Sequence, residues 1–187
     1  MNTGIPTIYN DCQYRSRLEA KWAAFFDLLG WQYQYEPYDL NGWIPDFSLF
    51  GQQEILVEIK PYSTLKEFDR SKILMALLST EKWGKEILLL GCRIFPSILS
   101  SSIGWLGEFI KLYSNPENED CAVSEEYGFD RAVIGMVRDK MDFHSDNGGY
   151  QGRITGQYNG CQLFCNPDHI EKLWREAGNR VQWKAQP

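Results

Sequence analysis

The 187-residue chain is predicted to form a single α/β domain over residues 1–187, a small mixed β-sheet flanked by helices with a C-terminal extension. Three features predict this class: a helical apolar stripe after Ser16, a strand pair around Gly51-Gln52-Gln53, and a continuous apolar run over Glu86–Cys92. With 43% hydrophobic residues, the chain can bury a core that offsets the entropy of folding. We place this core at residues 14–95 and the extension at residues 96–187.

The elements of the core follow from local patterns. Ser16 is a suitable N-cap for a helix that Gly30 ends, and the apolar face of this helix comprises Leu18, Trp22, Phe25, Phe26 and Leu29. The predicted strands are Trp31–Glu36, Trp43–Phe50 and Glu54–Lys60, and the last two form a hairpin. A helix over Leu65–Lys82 then leads to the strand at Glu86–Cys92, so the strands on either side of this helix should be parallel.

The extension is predicted from weaker patterns. They indicate, in order, a serine-rich connection at Ser97–Ser102, a short helix at Ile103–Tyr113, an acidic loop at Asn115–Asp130, a strand at Ala132–Arg138, a turn at Asp146–Gly149 and a helix at Pro167–Gly178 with Asn166 as its N-cap. The acidic part of the loop, residues 117–130, is either a solvated insertion or a screen over a basic groove.

The composition excludes several classes of protein. A net charge of −6 argues against a protein that coats nucleic acid non-specifically, because such proteins carry a basic excess. The chain has no run of about 18 apolar residues that could span a membrane, and Met1–Asn10 lacks a signal-peptide pattern. Five cysteines, an odd number, favour a reduced protein in the cytoplasm.

The acidic residues are unevenly distributed along the chain. Residues 1–60 carry a net charge of −4 and residues 112–150 a net charge of −6, whereas residues 61–111 and 151–187 each carry +2. A surface that binds a nucleic-acid backbone is therefore expected to use the second and fourth of these segments.

Asp46, Glu58 and Lys60 are predicted to converge. If the three-residue loop pairs Phe50 with Glu54, then Asp46 lies opposite Glu58, and Lys60 shares their face because side chains alternate along a strand. Two facing carboxylates repel each other unless a cation lies between them. Lys60 partly fills that role, and a hard divalent cation such as Mg²⁺, which favours carboxylate and phosphate oxygens, fills it better.

The same residues resemble a nuclease signature. Pro45-Asp46, eleven intervening residues and Glu58-Ile59-Lys60 resemble the PD-(D/E)xK motif of the restriction-endonuclease-like nucleases. Glu19 occupies the place of the acidic residue that this superfamily often adds from the preceding helix. The patterns S-R-L-E-A-x-W-A-x-F-F-x-x-L-G, Y-E-P, I-P-D-F and V-E-I-K-P resemble uncharacterised phage and mobile-element nucleases, and more distantly the endonuclease subunits of some transposons. The resemblance covers about residues 14–95.

The resemblance implies a restriction-endonuclease-like core and a Mg²⁺- or Mn²⁺-dependent DNA endonuclease that hydrolyses phosphodiester bonds. Asp46, Glu58 and the Ile59 carbonyl would then bind the metal. Lys60 would position the attacking water, and Glu19 would hold a metal-bound water or a second metal.

Partners of the chain are implied by the same resemblance and by its charge. The basic residues just after the motif, expected to contact the DNA backbone, are Lys66, Arg70 and Lys72. Because the chain is acidic overall, we also expect a protein partner that delivers the DNA. RNA stays open as a substrate, and the oligomeric state is not predicted.

Other interpretations stay open beside the nuclease. Glu19 lies three residues after Ser16, the spacing of a capping box, and the face that carries Asp46 and Glu58 is also typical of a solvated strand. The same core could be a non-catalytic module that docks DNA or a partner in a transposition or phage-replication assembly. A third interpretation is a hydrolase of small phosphorylated molecules, although no glycine-rich phosphate loop supports it.

Two further groups of residues allow a functional and a structural interpretation. The first comprises Cys161, Cys165 and His169, which zinc could use but which are more typical of buried thiols and a helix start. The second comprises Trp31, Tyr33, Tyr35, Tyr38 and Trp43, which either stack on unpaired bases or pack around the sheet.

Overall fold

The computed structural model describes residues 4–78, 85–97, 100–113, 123–146, 151–157 and 165–182, with the backbone alone at residues 109–113 and 123–126. An N-terminal hairpin of β1 (Thr7–Tyr9) and β2 (Cys12–Tyr14) leads into α1 (Arg17–Leu29). The strands of the larger sheet are β3 (Gln32–Tyr35), β4 (Phe47–Phe50), β5 (Glu54–Ile59), β6 (Glu86–Pro96), β7 (Ser101–Tyr113), β8 (Val123–Val137) and β9 (Lys140–Ser145). A 3₁₀ turn (Leu65–Glu67) and α2 (Arg70–Leu78) connect β5 to β6, and α3 (Pro167–Arg180) follows β9.

The strands of the larger sheet are neighbours in chain order, from β3 to β9. Every neighbouring pair is antiparallel except β5 and β6, which are parallel and joined through α2. The predicted mixed α/β class and the parallel pair are thereby confirmed. The hairpin register is confirmed as well, because Phe50 pairs with Glu54 and Phe47 with Val57.

Apolar cores cover both faces of this sheet. On one face α1 packs against α3, and the ring centroids of Trp22 and Trp174 lie 4.5 Å apart. On the other face α2 contributes Ile73 and Leu77 to a smaller core. Alternate residues of β5 enter the two cores, because neighbouring side chains of a strand point to opposite faces. Within the described ranges, none of the helices has the length and apolar content needed to cross a membrane.

The residues after position 95 continue the sheet of the core. β7, β8 and β9 extend it beyond β6, and α3 returns to α1. The sheet curls until its two ends approach each other, since the indole N–H of Trp31 donates to the Met141 carbonyl at 2.9 Å. The ring of Trp31 also lies 5.2 Å from that of Phe143, between centroids. The elements that carry Asp46 and Glu58 therefore lie inside one continuous sheet.

Two predictions for the extension are wrong. Ile103–Tyr113, predicted as a helix, belongs to β7, and the predicted loop Asn115–Asp130 contains the start of β8; residues 114–122 lie outside the described residues. Gly104 and Gly107 each disfavour a helix by about 1 kcal/mol relative to alanine. The strands obtain their hydrogen bonds from each other across a long connection, and such pairing leaves no local periodicity.

Several predicted boundaries of the core also change. β4 begins at Phe47 instead of Trp43, because Pro45 has no N–H to donate to a ladder. The predicted helix Leu65–Lys82 is divided into the 3₁₀ turn and α2, and its residues 79–82 lie outside the described part of the chain. β6 extends past the predicted end to Pro96.

The C-terminal helix begins where predicted and ends later. The side chain of Asn166 accepts a hydrogen bond from the Asp168 amide at 2.9 Å, which confirms the predicted cap. The helix continues through Gly178 to Arg180. The predicted strand Ala132–Arg138 is the second half of β8, and the predicted turn at 146–149 falls largely on residues outside the described ranges.

Candidate functional site

A cavity of about 550 Å³ lies where β5 ends, beside the first residues of α1. Its lining includes Arg15, Arg17, Glu19, Asp46, Ile59 and Lys60. Asp46 directly precedes β4 and Lys60 directly follows β5, so the antiparallel hairpin brings them to the same end of the sheet. Four of the five predicted catalytic and metal-binding residues therefore line one cavity.

Asp46 is buried and held from two sides. Only 2% of the residue is exposed. Its Oδ2 atom accepts a hydrogen bond from the Ile59 amide at 2.6 Å, and its Oδ1 atom accepts one from the Arg15 guanidinium at 2.9 Å. The hydrogen bond that the Ile59 amide donates across the hairpin fixes the Asp46 carboxylate beside the end of β5.

The Lys60 ammonium contacts one oxygen atom from each of Asp46, Glu58 and Ile59, the residues predicted to bind the metal directly. Its Nζ atom lies 2.6 Å from Glu58 Oε1, 3.1 Å from the Ile59 carbonyl and 3.5 Å from Asp46 Oδ2. The three predicted ligand atoms thus surround a single positive charge. Although burial lowers it, the Asp46 and Glu58 carboxylates raise the pKa of Lys60 above its ordinary 10.5, so the ammonium form is retained.

Glu58 is oriented by a residue that the sequence interpretation placed in a packing group. The Trp43 indole N–H donates to Glu58 Oε2 at 2.9 Å, while Glu58 Oε1 contacts Lys60. Trp43 is buried in the smaller core, and its ring is therefore not available to stack on a base. The indole holds one carboxylate oxygen of Glu58 and leaves the other to Lys60.

Glu19 lies in the same cavity but binds hydroxyl groups. Its Oε1 atom accepts a hydrogen bond from the Ser16 hydroxyl at 2.7 Å, and its Oε2 atom accepts one from the Tyr35 hydroxyl at 2.6 Å. Ser16 also caps α1 by accepting from the Glu19 amide at 3.2 Å. In the part of the chain that the structure describes, no three His, Cys, Asp or Glu side chains are grouped closely enough to hold one metal ion. Glu19 thus shares the cavity with Asp46, and in this structure its two carboxylate oxygens accept hydrogen bonds from hydroxyl groups.

The electrostatic environment of Asp46 disfavours its charged form. Burial and the neighbouring Glu58 carboxylate raise the pKa of Asp46 to about 7, even though the Lys60 ammonium and the Ile59 amide favour ionisation. The Glu19 carboxylate also raises the pKa of Asp46. A cation brought to this carboxylate would relieve the cost of ionising it.

No protein-family model, curated protein or solved structure matches the chain. The arrangement of the side chains is therefore the basis for the functional assignment.

In the metal-free protein, Asp46→Asn is expected to be more stable than the wild type above about pH 7, with an advantage that shrinks toward pH 4. A carboxyl whose pKa is raised on folding stabilises the folded state at low pH, and that contribution is lost as the pH rises from 3.8 through about 7. Thermal unfolding in a chelator between these values measures the difference. Asp168→Asn, an exposed change on α3, is the control, and a stability difference that does not vary with pH would contradict the assignment.

Sequence reasoning missed two residues at the site. The first is Arg15, whose guanidinium contacts Glu36 at 2.7 Å and Asp46 at 2.9 Å. Tyr35 was assigned to the aromatic group, but its hydroxyl joins Glu19 to the Arg15 amide, which donates to it at 3.0 Å. The alternation of side chains along β3 indicates only the face of the sheet on which Tyr35 lies. It does not indicate the hydrogen bond to Glu19, because Glu19 belongs to α1.

The predicted DNA-binding residues are exposed but do not line the cavity. They are Lys66 in the 3₁₀ turn, and Arg70 and Lys72 in α2. The guanidinium carbon of Arg70 lies 5.8 Å from the centroid of the Phe129 ring, on the face of the sheet against which α2 packs. These cations lie on the segment that connects β5 to β6, which begins just after Lys60. They therefore belong to the α2 segment and not to the cavity itself.

The remaining predicted groups have structural partners. Cys165 is buried in the core on which α3 packs, while Cys161 lies outside the described residues. Trp31 is buried beside Phe143, as packing around the sheet requires. Asp142 accepts hydrogen bonds from the amides of Ile154 and Thr155 at 2.8 and 2.9 Å, so it anchors the 151–157 segment.

Proposed function

We propose that the chain is a Mg²⁺- or Mn²⁺-dependent nuclease of the restriction-endonuclease-like type, which hydrolyses phosphodiester bonds in DNA. One observation supports this above all others: Asp46 Oδ2, Glu58 Oε1 and the Ile59 carbonyl converge on a single cationic atom, Lys60 Nζ. Carboxylate and carbonyl oxygens are the ligands that hard divalent cations prefer. The same three groups are the ones that the sequence motif assigns to the metal.

The charge around the cavity also fits a divalent cation. Four carboxylates, those of Glu19, Glu36, Asp46 and Glu58, lie among the three cations Arg15, Arg17 and Lys60, so the group carries a formal charge of −1 when all are ionised. The Lys60 side chain is 40% exposed and therefore has room to turn toward water when a metal takes its place. The donor set and its charge are both suited to Mg²⁺ or Mn²⁺.

Each residue of the site then has a distinct task. A bound divalent ion would polarise the phosphodiester and stabilise the charge that develops on it. Lys60, tethered at the end of β5, would hold the attacking water and donate hydrogen bonds to the developing charge. Glu19 would accept hydrogen bonds from water on the α1 side of the cavity, held in position by the Tyr35 hydroxyl.

The phosphate backbone outside the cavity would be bound by the exposed cations of the α2 segment. Lys66, Arg70 and Lys72 are exposed and carry part of the basic surplus of residues 61–111. Because the whole chain has a net charge of −6, affinity for free DNA would be modest at physiological salt. A protein partner that delivers the DNA is therefore part of the proposal.

Binding of Mn²⁺ is expected to raise the melting temperature of the wild type by about 5–10 °C when its concentration is about 100 times its Kd. The reason is that a ligand that binds only the folded state adds its binding free energy to the stability. Differential scanning fluorimetry with and without a chelator measures the shift. Glu58→Gln removes one ligand charge and should abolish most of the shift, whereas Asp168→Asn should keep it.

Cleavage assays complete this test of the function. The wild type should cut at least one of linear duplex, branched and single-stranded DNA in Mg²⁺ or Mn²⁺, and a chelator should stop the reaction. An RNA strand in the same panel decides whether the enzyme is restricted to DNA. A wild type that shows neither a metal-induced shift nor cleavage would rule out the nuclease.

A second candidate, a non-catalytic module that docks DNA or a partner protein, is favoured by one feature of the site. Lys60 already neutralises Glu58 at 2.6 Å, so the pair is electrostatically satisfied without a metal. Such a module would bind DNA without any metal-dependent cleavage of the panel. Its stability would then be unaffected by Mn²⁺.

A further inference from the structure

Arg15 lines the cavity and has no task in the scheme above. Its guanidinium donates to Asp46 Oδ1 at 2.9 Å and to Glu36 Oε1 at 2.7 Å, yet 57% of its side chain remains exposed. Asp46, by contrast, is almost completely buried. An exposed guanidinium therefore contacts a carboxylate that is itself buried, and it joins that carboxylate to solvent.

The Arg15–Asp46 ion pair and a metal on Asp46 compete for the same charge. When a divalent cation binds the carboxylate, the attraction between Asp46 and the guanidinium is weakened, because one negative charge is then shared between two cations. A substrate phosphate brings a new negative charge to the same cavity. The planar guanidinium has five N–H donors in a geometry that matches phosphate oxygens, and its two ion pairs use two of them.

The shape of the cavity limits what this phosphate belongs to. Gly4 and Ile5 form part of the lining, and the volume of about 550 Å³ lies in the range of pockets that enclose a small molecule. A nucleotide-sized part of one strand fits this volume. Arg17, at the start of α1, adds a second guanidinium to the lining.

We propose that Arg15 is a substrate-binding residue that exchanges its contact with Asp46 for a phosphate group of the strand that is cut. This inference rests on the proposed nuclease function. The phosphate is either the monophosphate at the end of a strand or a diester next to the cleaved bond; the recognition chemistry is the same, and the substrates below distinguish the two.

The test measures KM and kcat for Arg15→Ala and Arg15→Lys at several salt concentrations, with single-stranded oligonucleotides that carry a 5′-phosphate or a 5′-hydroxyl. Arg15→Ala should raise KM about tenfold or more, the loss expected for a charge-assisted hydrogen bond, and change kcat much less. The slope of log KM against log salt should fall by about 0.7, since one phosphate contact is lost. Arg15→Lys should restore part of both effects.

Controls separate this role from a structural one. Arg131→Ala removes an exposed arginine in an ion pair with Asp146 far along the sheet, and it should leave KM and the salt slope unchanged. The Mn²⁺-induced shift of Arg15→Ala should equal that of the wild type or exceed it, which also reports that the variant is folded. If Arg15→Ala raises KM more for the 5′-phosphate substrate than for the 5′-hydroxyl substrate, Arg15 binds the terminal phosphate. If KM rises equally for both substrates, Arg15 binds a diester phosphate.

Two results would overturn the inference in different ways. If the wild type cleaves DNA and both Arg15 variants keep its KM and salt slope, or lose only kcat, then Arg15 acts on Asp46 alone and the nuclease proposal stands. If the wild type shows no Mn²⁺-induced shift and no cleavage, then the nuclease proposal is wrong and this inference is wrong with it.

Discussion

Asp46→Asn is expected to lower the rate of metal-dependent DNA cleavage by at least about 10³-fold, because a catalytic metal supplies several kcal/mol and each 1.36 kcal/mol is worth about a factor of ten. The variant keeps an acceptor for the Ile59 amide, which lies 2.6 Å from Asp46 Oδ2, so the hairpin should fold normally. It loses the negative charge that would face a bound metal ion. The measurement is cleavage in Mg²⁺ or Mn²⁺ on whichever DNA the wild type cuts.

The matched control for this variant is Asp168→Asn, which makes the same chemical change at an exposed position in the first turn of α3. Its cleavage rate should stay within about twofold of the wild type, since surface substitutions have small effects. If Asp46→Asn and the wild type cleave equally at matched purity, the activity belongs to another site or to a contaminant, and the assignment fails.

Arg153→Met is expected to lower the free energy of unfolding by about 3–5 kcal/mol, the cost of leaving buried carboxylates without their cation. The Arg153 side chain is 9% exposed, and its guanidinium contacts Glu86 and Glu108, each at 2.8 Å. The Arg153 carbonyl also accepts a hydrogen bond at 3.0 Å from the backbone amide of Gln52, in the turn between β4 and β5, so this ion-pair group lies beside the hairpin. Urea unfolding measures the loss.

An exposed ion pair provides the comparison for Arg153. Arg131→Met breaks the pair with Asp146, in which the arginine side chain is 63% exposed, and it should cost less than about 1 kcal/mol. Replacing Glu86 and Glu108 with methionine in the Arg153→Met background should recover most of the stability, because apolar groups of similar volume need no partner. Equal losses for Arg153→Met and Arg131→Met would show that the buried group carries little of the stability.

The part of the fold that could be predicted is the part determined by neighbours in sequence. The loop Gly51-Gln52-Gln53 sets the pairing of Phe50 with Glu54, and the strand period then places Asp46 near Glu58. β7 and β8 could not be predicted in the same way. Their ladder joins Ser101 to Ile134, so its hydrogen bonds depend on segments that are far apart in the chain.

The candidate site divides along the same line. Spacing alone placed Lys60 with the two carboxylates, because all three lie on one hairpin. Arg15 reaches the cavity from the β2–α1 junction, and Tyr35 contacts Glu19 from β3; no periodic pattern relates those two positions to Asp46. For Trp43 the sequence suggested base stacking or packing, yet its indole N–H donates a hydrogen bond to one oxygen of Glu58. The direction of a polar atom on a buried ring depends on the tertiary structure.

The hydrogen bond from the Trp31 indole to the Met141 carbonyl has a consequence for the behaviour of the protein at high concentration. Edge strands expose backbone groups that can pair with another chain and start aggregation. Here the residue before β3 donates to a carbonyl of β9, and the Trp31 ring lies on Phe143 of the same strand. The two margins of the sheet thus shield each other, and the fold limits its own tendency to grow by strand addition.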